Sequence, residues 1–107
     1  MCIRDSIHAD SAPSPSAQGF TVYIANAASA DSQRAARDIS RAMATTGLEN
    51  RGVRREDYRV LRTSRGPAVL VEMGYLSNRQ DALRLQDSAF QDKLAAAIAT
   101  GILDYLQ

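Results

Sequence analysis

"AVLVEMGYLSN", residues 68–78, is the stretch on which the architecture turns. Ala68, Val69, Leu70 and Val71 form an unbroken apolar run, which predicts a central strand covered on both faces. Glu72 stands near its end, just before Met73 and Gly74. Burying a carboxylate without a partner is expensive, so the position calls for a cation beside it or a chemical task. Taken alone, Glu72 can be an ion-pair partner for one of the many arginines or a functional carboxylate. Both readings stand at this point.

Downstream, Asn78 can cap a helix that starts at Arg79, its side chain accepting from an early amide. The last twenty residues, "SAFQDKLAAAIATGILDYLQ", place Phe90, Leu94, Ile98, Ile102 and Tyr105 along one stripe and predict a packing helix. Upstream, "SRGP" is a turn, "YRVLRT" (58–63) reads as a short strand and "ENRGVRRED" (49–57) as a polar loop. In "SADSQRAARDISRAMATTGLEN" (29–50), Ala36, Ile39, Met43 and Thr46 recur at three- and four-residue steps. Arg34, Arg37 and Arg41 fall on other faces, which predicts an amphipathic helix closed by Gly47. "FTVYIA" (20–25) alternates and predicts a strand, and the Ser/Ala/Pro stretch "SAPSPSAQG" (11–19) is a loop. Strands alternating with helices give an α/β class, an open sheet flanked by helices. In such sheets sites gather at the carboxyl ends of strands, where both His8 and Glu72 fall.

The totals set bounds. A chain of 107 residues is at most one domain, and 45% hydrophobic with 23% charged residues is ordinary for a globular protein. A formal net charge of +1 implies no bulk attraction to nucleic acid or anionic membrane. Twelve of the thirteen basic residues are arginine, and six of these lie between Arg51 and Arg65. Glu56 and Asp57 interrupt that cluster, so it reads as a solvated face. One cysteine, Cys2, permits no internal disulfide, and one histidine, His8, permits no multi-histidine metal cluster within these residues. No run is long and apolar enough to span a bilayer, and "MCIRDSIHAD" lacks the apolar core of a secretory signal. By itself a lone histidine is more often structural or merely exposed than a metal ligand.

The combination of motifs is more specific. "SIHAD" (6–10), "GFTVY" (19–23), "RGV" (51–53), "YRVLR" (58–62), "PAVLVEMGYLSN" (67–78) and "FQDKLAAAIATGILDY" (90–105) occur in the order expected of one family. The chain resembles zinc-dependent N-acetylmuramoyl-L-alanine amidases of the amidase-3 type over residues 6–107. The resemblance implies that His8 is a zinc ligand and Glu72 the catalytic general acid/base. It implies the substrate class as well: peptidoglycan or a muropeptide, cut at the amide joining N-acetylmuramic acid to L-alanine. Zinc chemistry suits the task, because a metal with three protein ligands lowers the pKa of its water to about 7 and polarises the carbonyl. Action in the periplasm or at the cell wall is also implied. No nucleic-acid partner and no membrane insertion are expected, and the oligomeric state is left open. Tyr75 could face sugar or peptide or serve as a core aromatic.

The family pattern has two further zinc ligands, a histidine and a glutamate, upstream of the "SIHA" motif. Glu49 and Glu56 follow His8 and match neither. The expectation is therefore an incomplete domain lacking its N-terminal strands. Residues 1–5 would be a non-native leader, residues 6–107 the C-terminal part of one catalytic domain, and the remaining zinc ligands would lie outside these residues. Such a chain alone would bind zinc weakly and hydrolyse peptidoglycan undetectably. "IANAASADSQRAARD" leaves no room for the autoinhibitory helix that some relatives insert there. The competing reading is a non-catalytic peptidoglycan-binding module of the same fold.

Overall fold

The computed structural model describes residues 4–10 and 14–107. Its strands are β1 (Arg4–Asp10), β2 (Phe20–Ile24), β3 (Asn50–Arg55) and β4 (Ala68–Tyr75). Its helices are α1 (Ala30–Met43), α2 (Arg59–Arg62), α3 (Arg79–Gln86) and α4 (Ser88–Leu106). The described strands form an open sheet in the order β1-β4-β2-β3. β1 runs parallel to β4 and β2 parallel to β3, whereas β2 and β4 are antiparallel, so the sheet is mixed.

β4 lies between β1 and β2, as its apolar run predicts, and every residue from Ala68 to Glu72 is buried. Side chains alternate across a strand. Val69 and Val71 therefore meet Phe20, Val22 and Ile24 of β2 on one face, joined there by Ile39 and Met43 of α1 and by Leu94 and Ile98 of α4. Each large apolar side chain so buried is worth about 1.5–3 kcal/mol. Ala68 and Leu70 point the other way, against Leu61 of α2 with Tyr23 packed alongside.

The helices end as their residues dictate. Ser29 caps α1 by accepting from the Ser32 amide, and Asn78 caps α3 by accepting from the Asp81 amide. α1 runs into a 3-10 turn (Ala44–Thr46) and stops at Gly47, whose φ of 90° continues no helix. On α4, Leu94, Ile98 and Tyr105 are buried, with Phe90 and Ile102 half-buried against the same core.

Two elements differ from the sequence reading. "ENRGVRRED", expected to be loop, contains β3. Most of that strand is exposed and it forms an edge, so it carries no apolar alternation; its backbone pairing with β2 makes the strand. "YRVLRT", expected to be a strand, holds the one-turn helix α2. Leu61 is buried there and Thr63 Oγ1 donates to the Arg59 carbonyl at 2.8 Å, closing the turn. Two adjacent apolar residues carry too little periodicity to separate a strand from one helical turn.

Candidate functional site

His8 and Glu72 are delivered by neighbouring parallel strands. The β1–β4 register runs Ser6↔Leu70, Ile7↔Val71, His8↔Glu72, so the imidazole and the carboxylate lie side by side on one face of the sheet. Beyond them the register slips, and Asp10 pairs with Tyr75. That irregularity ends the regular pairing immediately after the two functional candidates. On the opposite face β1 presents Ile7 toward the helix layer.

The two groups sit in different environments. Glu72 is 4% exposed, whereas His8 is exposed at the edge of the described sheet. Ser6, two residues back on the same strand and face, has its hydroxyl 2.6 Å from His8 Nε2. With the Nε2 proton given to Ser6, the lone pair of Nδ1 is left for a ligand. Among the described residues, no group of three His, Cys, Asp or Glu side chains could hold a metal ion. The pair places one imidazole beside one carboxylate on the same face of the sheet.

The strand ends around Glu72 are tied by Asp81 at the start of α3. Asp81 is 1% exposed, and its Oδ2 accepts the backbone N–H of Tyr75 at 2.9 Å and of Gly19 at 3.0 Å. Gly19 can approach so closely because it has a φ of 100° and no Cβ, which would otherwise collide with the Glu49 carbonyl oxygen. One carboxylate thus joins the exit of β4 to the entry of β2. Tyr75 is half-buried beneath the Arg51 guanidinium, whose carbon lies 5.1 Å from the ring centre. Burial, followed by the neighbouring Tyr75 and Tyr58 hydroxyls, raises the pKa of Tyr23 above its ordinary value. Of the arginine cluster, Arg54, Arg55, Arg59, Arg62 and Arg65 are exposed, and Arg51 is the half-buried exception.

The sequence reading overlooked Thr21. It is the β2 register partner of Glu72, fully buried, and its hydroxyl has no hydrogen-bond partner among the described residues. Threonine is a good strand former, so nothing in "GFTVY" separates it from a packing residue.

The ordered motifs and the strand pairing they produce agree with one family model, N-acetylmuramoyl-L-alanine amidase, which matches residues 5–104. The chain belongs to this amidase family. It is 41% identical over 102 residues to the probable cell wall amidase LytH of Staphylococcus aureus, a match covering 94% of this chain and 34% of that protein. The catalytic domain of CwlV, an N-acetylmuramoyl-L-alanine amidase from Bacillus (Paenibacillus) polymyxa var. colistinus, superposes with a TM-score of 0.89 at 38% identity. That match covers 97% of this chain and 57% of the CwlV chain. The amidase AmiC2 of Nostoc punctiforme gives a TM-score of 0.90 at 36% identity, covering 98% and 58%. This amidase-family chain therefore spans about a third of the curated relatives it matches and under three fifths of the solved amidase structures. Zinc dependence is general in the family. Among the described residues, no helix is long and apolar enough to cross a membrane.

Proposed function

We propose that residues 6–107 are the C-terminal part of an amidase catalytic domain that hydrolyses the amide between N-acetylmuramic acid and L-alanine in peptidoglycan. The observation that carries this reading is the direct pairing of His8 with Glu72 on adjacent parallel strands. Family membership supports the substrate class and an extracellular or cell-wall place of action. His8 would hold zinc, and the other ligands would come from sequence outside these 107 residues, which contain no second histidine. When bound, the metal supplies a Lewis acid that polarises the scissile carbonyl and acidifies water.

The chain's own residues account for the proton movements. The Glu72 carboxylate takes a proton from the attacking water as the new C–O bond forms. As the C–N bond breaks, the same carboxyl returns that proton to the departing nitrogen of L-alanine. The products are the free lactyl carboxylate and the stem-peptide amine. Burial serves this role, since water excluded from around Glu72 cannot compete for the proton being carried. The Ser6 hydroxyl orients the His8 ring, as a neighbour bonded to the second ring nitrogen of a metal-binding histidine does.

The test is Glu72→Gln in the zinc-loaded parent domain, assayed for release of stem peptide from muropeptides. Removing a general acid/base should lower kcat by at least about a hundredfold while the fold and zinc content stay intact. Retention of activity would sink the assignment.

A further inference from the structure

The row that joins His8 to Glu72 continues one strand further. Thr21 and Glu72 are antiparallel register partners, so their side chains share a face with Cβ atoms about 4.5–5.5 Å apart. Thr21 is 0% exposed and its Oγ1 has no hydrogen-bond partner among the described residues. A buried polar atom without a partner is uncommon in a folded protein and asks for an explanation. Valine would fill the same space without that penalty, so packing alone does not account for threonine here.

β3 adds a second observation. The β2–β3 register slips between Phe20↔Asn50 and Val22↔Val53, which leaves Arg51 and Gly52 opposite Thr21. The Nε of Arg51 is also buried without an acceptor. A hydroxyl can accept one hydrogen bond while donating another, so Thr21 has the chemistry to serve a guanidinium N–H on one side and a carboxylate on the other.

We propose that Thr21 is a positioning residue for Glu72. In the assembled domain its hydroxyl would turn to donate to the Glu72 carboxylate from the side away from His8 and to accept from Arg51 Nε–H, two bonds that would satisfy the orphaned atoms. The carboxylate is thereby held in one rotamer with its other oxygen toward the edge where His8 stands. This inference rests on the proposed role of Glu72.

The experiment compares Thr21→Val, Thr21→Ser and Glu72→Gln in the zinc-loaded parent domain, measuring kcat, KM and melting temperature for each. Thr21→Val should lower kcat about tenfold with KM within about twofold, because the general acid/base is misaimed while substrate contacts are kept. Its melting temperature should not fall, and Thr21→Ser should recover most of the lost kcat. An unchanged kcat in Thr21→Val overturns the proposal, and so does a Thr21→Ser variant as impaired as Thr21→Val. If Glu72→Gln is inactive while Thr21→Val is silent, the amidase reading survives and only Thr21 falls. An active Glu72→Gln removes both.

Discussion

His8 and Glu72 face each other across adjacent parallel strands, one exposed at the edge of the described sheet and the other covered by it. The difference in exposure fits the two roles proposed for them: a metal ligand must be reachable, and a proton carrier gains from being kept dry. It also separates the mutational consequences of the two residues.

His8→Ala should leave the fold almost untouched, because an exposed edge side chain contributes within about ±0.5 kcal/mol. The same change in the parent domain should strip the zinc. Metal content after dialysis, measured by atomic emission, checks this; one zinc per chain in the variant would exclude His8 from the ligand set.

The 107-residue chain by itself should hold zinc weakly. It contains one histidine, and no three metal-binding side chains cluster among its described residues, whereas a catalytic site takes three protein ligands. Titration calorimetry with zinc should give an affinity far below that of the parent domain.

Asp81→Ala should be among the most damaging substitutions outside the apolar core. It orphans the buried amide of Gly19 and that of Tyr75 together, at about 1–3 kcal/mol per unsatisfied group. Urea unfolding should show a loss of about 3 kcal/mol. In the proposed parent domain amidase activity should fall with it, since the tie holds the strand ends flanking Glu72 and Thr21.

Gly101→Ala probes the packing of α4 on α1. A Cβ at this position would lie 2.5 Å from Ile39 Cα and 2.9 Å from its amide nitrogen, and backbone cannot yield as a side chain does. The helices must separate, at a cost of about 1–3 kcal/mol, readable as a lowered urea midpoint.

Tyr23 confers alkaline sensitivity. Its folded-state pKa is raised, chiefly by burial and then by Tyr75 and Tyr58, so the folded protein holds the phenolic proton more tightly than the unfolded chain does. That contribution is complete below the unfolded value, about pH 10, and is lost as pH rises through the higher folded value. Melting temperatures followed upward from about pH 9 should therefore fall less steeply for Tyr23→Phe than for the parent. Parallel curves would show that Tyr23 does not control this loss.

Local chemistry was legible in the chain wherever burial imposes a pattern. The run 68–72 reads as a strand because both of its faces are covered, and the 29–47 segment as a helix because one stripe meets the core. Asn78 announces α3 through its cap. β3 could not be seen, because an exposed edge strand places no demand on side-chain polarity; what makes it a strand is a ladder to β2 far away in sequence. α2 was misread because its one buried anchor, Leu61, is compatible with either local conformation.

The ordered motifs in these residues were enough to mark the family and to nominate His8 and Glu72 as candidates, since those signals are residue types at characteristic places along the chain. That Thr21 and Arg51 extend their row, and that Asp81 ties Gly19 to Tyr75, depended on strand order and register. These relations arise from pairing between segments as many as 62 positions apart. No local pattern encodes such pairing, because a hydrogen bond across a sheet is specified by which backbones meet and not by the residues next in line.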